Sequence, residues 1–480
     1  MARSRLLSRG LNCTACLLTW FISQGSPVLA QYPAHRAVSG GVYQGRYIGF
    51  VPRHQQNAVN VAPPVEEVMT AQDMAEEMAM PHDGGVQPAD FTPESQLAEA
   101  VPEALVFDAF VHGAPGEHLA CGPASCYPVP RLFGGADYLL WWTKGMDTPP
   151  LVTSSRSGIP QERAGVLGDP ATSVRFGDGS LMDESRSGVQ LHLGWWLDEC
   201  HEHALEFSYL TLGSESVSYS ESEDDRSILG RPFINLPANE EDARLIAYPG
   251  LVDGTIGVEA SSDFQTFEVL LRHQAPLAYR DMLDISLGYR YASLEDSLSF
   301  RESTTSLSGP TQNTKIDLDE QFGTDNSFHG GQLGLRLTPC RSPIWSLELA
   351  GKIALGNTQA ESTIAGQTKT TVPTGESSTQ PAGLLAQRTN IGTWEDSQFS
   401  TITEGGVTLR RRLPWNLSFV TGYSVLFWTN VARAGDQIDR SINTTQIPPG
   451  TLSGDPRPAP TENTTDFWAQ GLRFGLEYNY

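Results

Sequence analysis

Asp198, Glu199, Cys200, His201, Glu202 and His203 are six consecutive polar residues, three of which (Cys200, His201 and His203) are zinc-ligand types. Their crowding on one tight turn spaces three ligands poorly around a single ion. A solvated polar turn is the better reading, and no metal is assigned. The run Glu221, Glu223, Asp224, Asp225 offers carboxylates to calcium, but not at the spacing of a calcium loop. Hydrolytic chemistry is no better supplied. His192, His273 and His329 fall in or beside strand-like segments, and no histidine falls in the long connections described below. Serines are plentiful, yet none sits in a nucleophile elbow or beside a base. The chain reads as a non-enzyme with no cofactor.

The charges with an organised pattern are different ones. Segments of about ten residues alternate apolar and polar side chains with period two, the signature of a strand with two unlike faces. On the polar faces stand the acids Glu206, Glu268, Asp284, Glu348, Glu404 and Glu477. The same faces carry Arg272, Arg290, Arg336, Lys352 and Arg473. Closure of such a sheet with its apolar face outward puts all eleven in the lumen. Both signs are present in similar number. Barrels of about eight strands are filled by side chains, whereas sixteen or more leave a channel. A ten-stranded lumen is therefore either plugged by salt bridges or a narrow wet pore whose charges set ion preference.

The elements that position these residues are ten. They cover 132–144, 187–197, a segment around Leu205, Phe207 and Tyr209, 263–274, 282–293, a segment around Leu333, Leu335 and Leu337, 345–355, 398–410, 416–428 and 471–480. In the last, Leu472, Phe474, Leu476, Tyr478 and Tyr480 share one face. A full-length amphipathic strand at a terminus leaves an open edge in water, and only barrel closure removes it. The connections alternate: short at 198–203, 274–281, 338–343 and 411–414, long at 145–186, 213–262, 294–327, 357–397 and 429–466. Short periplasmic turns and long extracellular loops are the sorting rule of outer-membrane barrels. The expected fold is all-β, a transmembrane antiparallel barrel of ten strands. Twelve result if 216–220 and 298–301 form a further pair.

Arg3, Arg5 and Arg9, an apolar stretch and Val28-Leu29-Ala30 read as a signal peptide over 1–30. Residues 31–130, rich in Ala, Gln, Pro and Glu, read as a disordered acidic periplasmic arm. Residues 131–480 carry the barrel. The net charge of -24, with four lysines, excludes a nucleic-acid partner, which needs a basic footprint. An apolar fraction of 39% suits a chain whose apolar side chains form an outer band rather than a large core. The four cysteines after the leader, Cys121, Cys126, Cys200 and Cys340, permit three disulfide pairings in an oxidising periplasm.

Two stretches carry a family resemblance. Residues 133–155 read FGGADYLLWWTKGMDTPPLVTSS and residues 423–443 read YSVLFWTNVARAGDQIDRSIN. Together with the amphipathic end they resemble the type-seven beta-barrel porin family of planctomycete-type bacteria over about 130–480. The resemblance implies an outer-membrane barrel and brings no catalytic residue, cofactor or substrate. Read physically, Tyr138, Trp141, Trp142, Phe427 and Trp428 suit an aromatic girdle at the membrane interface. Arg433, Asp436 and Asp439 suit ion pairs that pin a loop, with ligand binding at the barrel mouth as the alternative for Arg433 and Asp436. The expected function is a narrow porin-like channel for ions or small solutes. The alternative is a closed structural or adhesive barrel displaying its loops. Outer-membrane lipid, and the barrel assembly machinery during biogenesis, are the partners expected. No surface partner is identified.

Overall fold

The computed structural model describes residues 131–222, 228–278, 281–447 and 450–480, with the side chains of 276–281, 340 and 341 excepted. The leader and arm read over 1–130, Cys121, Cys126 and the acidic residues 223–225 lie outside the described residues. In chain order the strands are β1 (Leu132–Thr143), β2 (Met146–Ser155), β3 (Thr172–Leu181), β4 (Ser185–Trp196), β5 (His203–Ser222), β6 (Ile228–Asn235), β7 (Glu240–Ala247) and β8 (Val252–Ala278). There follow β9 (Asp281–Ser306), β10 (Lys315–Arg341), β11 (Trp345–Thr371), β12 (Ser377–Gln380), β13 (Gly392–Arg412), β14 (Leu417–Ala432), β15 (Ser441–Ile442) and β16 (Thr464–Asn479).

Ten of these close a barrel in the order β1-β4-β5-β8-β9-β10-β11-β13-β14-β16, every neighbour antiparallel. β16 returns to β1, with Asn479 opposite Phe133 and Ala469 opposite Thr143, so no edge is left. The reason is the alternation itself. Outward positions carry Leu193, Leu335 and Leu476, each more than half exposed at 55%, 52% and 52%. Side chains of this kind bare to the outside in a continuous ring mark a lipid-facing band. Among the described residues no helix is long and apolar enough to cross a membrane.

Three features differ from the sequence reading. β8, β10 and β11 run for 27 residues and β9 for 26, far beyond the roughly 9–11 a spanning strand needs. Much of what reads as long loop is therefore strand that continues past the membrane; the connection 294–327 is a hairpin turning at 307–314. For the same reason 216–220 and 298–301 add no strand pair. They prolong β5 and β9, and Val217 and Leu298 both pair with Ala260 of β8. Finally, Trp141 and Trp428 do not belong to the girdle. Pleating sends them inward, at 1% and 0% exposure, while Tyr138, Trp142 and Phe427 face out.

The outer connections fold into a second sheet, β15-β6-β2-β3 with β7 on β6. β15 joins it parallel to β6, with Ser441 opposite Ile234. This sheet caps the protruding strands from within. Leu151, Val152, Leu229, Phe233 and Ile246 of the cap share one buried core with Val258, Phe300, Phe322 and Ile364, inward residues of β8 to β11. Burial of each large apolar side chain contributes about 1.5–3 kcal/mol. The loops are thus a folded lid rather than free Ser- and Thr-rich arms.

Candidate functional site: the barrel lumen

The lumen is layered, and the layers follow from which residue type each strand turns inward at each height. At the short-turn end lies a cavity of about 680 Å³. It is lined by ten of the eleven charged residues singled out above, Glu206, Glu268, Arg272, Asp284, Arg336, Glu348, Lys352, Glu404, Arg473 and Glu477. Arg290, the eleventh, is wholly buried at its inner end.

These charges meet across the lumen in two tiers. In the outer-lying tier Arg336 of β10 reaches Glu348 at 3.3 Å, Glu206 at 3.6 Å and Asp284 at 3.7 Å. Arg272 pairs with Glu206 at 2.5 Å and lies over the rings of Trp196 and Phe133. In the deeper tier Arg290 and Lys352 share Glu268 and Glu404. The distances are 3.3 and 3.1 Å from Arg290, and 2.8 and 3.6 Å from Lys352. Arg290 also donates to Gln332 at 3.3 Å and to Thr266 at 3.2 Å. Arg290–Glu268 and Lys352–Glu404 join facing positions of adjacent strands, whereas Lys352–Glu268 (β11 to β8) and Arg290–Glu404 (β9 to β13) join strands that are not neighbours and so bridge the lumen.

Three members were not singled out from sequence. Arg410 joins Glu477 at 2.7 Å to Glu348 at 3.3 Å. Asp137 pairs with Arg473 at 3.5 Å. His192 stands 3.7 Å from Glu477. Parity was the signal available: Arg410 shares a face with Glu404 and Thr408, and Asp137 lies opposite Gly475 in the terminal strand's register.

Above the charges the inward residues turn apolar. Leu139, Trp141, Leu212, Phe264, Leu294, Phe328, Ile402, Leu426, Trp428 and Phe467 come from eight strands and form one buried cluster across the lumen. Phe264 meets Phe467 at 5.1 Å and Phe328 meets Trp428 edge-on at 6.1 Å. Such pairs add about 0.5–1.5 kcal/mol beyond burial. One buried ion pair lies at the same height: Arg186 of β4 stands opposite Trp141 and reaches Glu215 at 2.8 Å.

Buried ion pairs then fasten the cap. Arg433 of the 423–443 motif pairs with Asp296 of β9 and donates to the carbonyls of Lys144 at 3.2 Å and Gly145 at 3.3 Å. Its guanidinium is thereby committed to structure and not to a ligand at the mouth. Asp439 accepts from Arg457 at 2.9 Å. Asp436 takes another course: burial, then the Asp147 carboxylate, push its carboxyl above the usual range. Higher still, Arg231 lies between Glu302 at 3.5 Å and Glu320 at 2.5 Å.

The turn at 198–203 holds no assembled ligand trio. Cys200 is disulfide-bonded, and His201 stacks on Trp196 at 4.8 Å. Among the described residues no group of three or more His, Cys, Asp or Glu is arranged for a metal ion.

A closed ten-stranded sheet with lipid-facing leucines and inward-facing charges defines an outer-membrane β-barrel. The sequence profile described as "Putative beta barrel porin-7" matches residues 133–480, and the chain belongs to that family. No curated protein sequence matches it. Among solved structures, the outer membrane protease OmpT from Escherichia coli aligns with 74% of this chain and 99% of its own, at 8% identity and a TM-score of 0.36. A Pseudomonas aeruginosa FadL homologue aligns with 73% of this chain and 90% of its own, at 9% identity and a TM-score of 0.18. The P. putida toluene transporter TodX gives 74%, 91%, 9% and 0.18 for the same quantities. Likenesses this distant carry no argument about activity.

Proposed function

We propose that this protein is a closed outer-membrane barrel whose resting lumen does not conduct and whose task is structural, carrying a rigid folded cap to the cell surface. The observation that carries this reading is the apolar layer from Leu139 to Phe467, buried on every side and spanning the lumen between the charged cavity and the cap. A constitutive pore needs a continuous polar path, and this layer interrupts it. On this reading residues 1–30 direct export and residues 31–130 remain in the periplasm as an acidic arm. Lipid surrounds the outward band, and assembly proceeds through the barrel assembly machinery.

A second reading, the narrow channel for ions or small solutes, is favoured by family membership and by the charged cavity of about 680 Å³ on one side of the layer. It requires the apolar layer to move. Planar-bilayer recording of the folded, inserted protein separates the two. Silence at all voltages supports the closed barrel; stepwise unitary currents overturn it in favour of the channel.

A further inference from the structure

Sequence spacing set aside the 198–203 turn as a metal site because Cys200, His201 and His203 lie too close together along the chain. The fold supplies a ligand from elsewhere. His203 opens β5 and pairs directly with His273 of β8. Their rings lie 4.8 Å apart, and His203 Nε2 is 3.2 Å from His273 Nδ1. On its other side, His203 Nδ1 is 3.3 Å from Asp198 Oδ2. Asp198 is itself fixed. Its Oδ1 accepts from the Glu202 N–H at 2.9 Å and its Oδ2 from the His203 N–H at 2.6 Å.

We infer that His203 Nε2 and His273 Nδ1 form a divalent transition-metal site, suited to zinc, at the short-turn rim of the barrel. Three physical points converge. Two nitrogens bound to tetrahedral zinc at about 2.0–2.1 Å stand about 3.3 Å apart, close to the separation these two already have. An ionised carboxylate only accepts, so Asp198 holds the proton of His203 on Nδ1 and leaves the Nε2 lone pair facing His273. A ligating imidazole whose other N–H is held by a carboxylate is the usual outer shell of a protein zinc site. The remaining coordination positions fall to water. A metal here ties β5 to β8 beside the turn that joins β4 to β5, so it stabilises the folded barrel over the unfolded chain.

The test uses the full chain refolded in detergent and stripped with chelator. Zinc is titrated by calorimetry into wild type, His203→Gln, His273→Gln and Asp198→Asn. Each histidine variant is expected to lose one equivalent relative to wild type. Asp198→Asn is expected to keep the equivalent but to bind about 10–100-fold more weakly. Cobalt(II) on wild type is expected to give the intense visible bands of tetrahedral coordination, lost in His203→Gln. Heat-modifiable gel mobility checks that each variant is folded. A measurement that needs no substitution runs beside it: zinc is expected to protect His203 and His273 of wild type from acylation by diethyl pyrocarbonate, read by peptide mass. Unchanged stoichiometry in the histidine variants, or equal acylation with and without zinc, overturns the site and leaves the 3.2 Å contact as a plain N–H···N hydrogen bond.

Discussion

Trp428 of β14 donates its indole N–H to Thr358 Oγ1 of β11 at 2.9 Å, across the intervening β13 and inside the barrel. Both are buried, and the bond fixes one of the two tryptophan rings of the apolar layer. An unpartnered indole N–H there would cost about 1–3 kcal/mol. Trp428→Ala removes the ring and its contacts with Phe264 and Phe328. A loss of about 3–5 kcal/mol is expected, together with the first measurable conductance, since the cavity then reaches beyond the layer. Trp428→Phe keeps the layer filled, and its bilayer traces should stay silent. Urea unfolding followed by gel mobility reads the stability; the bilayer reads the opening.

The lumen charges make the opposite prediction. If cross-lumen pairing alone sealed the barrel, Arg290→Ala or Arg336→Ala would raise conductance. The apolar layer lies beyond both, so neither change opens a path. Arg290→Ala is still costly, because Glu268 and Glu404 then share only Lys352 in a buried setting; about 3–5 kcal/mol is expected. Arg336 is 27% exposed at its side chain, and water reaches what its removal leaves, so the cost is smaller. Unfolding midpoints of the two variants test the order, and a conducting Arg290→Ala would refute the role of the layer.

Glu320 of β10 organises the 382–387 segment of the cap. Its Oε1 accepts from the N–H groups of Leu384 at 2.5 Å, Leu385 at 2.6 Å and Ala386 at 2.8 Å. Its Oε2 takes Arg231. Charge-assisted bonds of this kind are roughly twice as strong as neutral ones. Glu320→Gln keeps the shape, drops the charge and leaves Arg231 on Glu302 alone among its carboxylates. The segment is expected to loosen. Limited proteolysis of intact cells or proteoliposomes should cut near Leu384 in the variant and not in wild type, with the barrel still heat-modifiable.

Alternation made the barrel legible because lipid outside and charge inside differ at every second residue. All ten barrel strands and their closure follow from it. The apolar layer was hidden by the same rule. In Leu139-Leu140-Trp141-Trp142 both faces are apolar, so period two vanishes and Trp141 reads as girdle. The signal was there along single strands: in β8 the inward parity runs Arg272, Leu270, Glu268, Thr266, Phe264, from charge to aromatic as it leaves the short-turn end. The cap was illegible for another reason. β6 and β15 pair across some two hundred residues of sequence, with only Ser441 and Ile442 in β15. Nothing local marks so short and distant a partner, and its apolar residues look like punctuation in a polar loop.

The short turn gives a pH prediction with a definite sign. Burial pushes the Asp198 carboxyl up, but the backbone N–H groups of Glu202 and His203 and the His203 ring bring it below its ordinary 3.8. A carboxyl whose pKa is lower in the folded state stabilises that state above its unfolded value, and the contribution disappears as pH falls through the folded value. Asp198→Asn removes the acceptor of both N–H bonds' charge. With chelator present, the variant should therefore be less stable than wild type at pH 7, by about 1–2 kcal/mol for the charge-assisted bonds. The gap should shrink as pH falls below 3.8 and close once Asp198 is protonated in the folded barrel. Midpoints of urea unfolding at several pH values trace that closure. A gap that stays constant down to the acid limit would mean the carboxylate's charge contributes nothing to the turn.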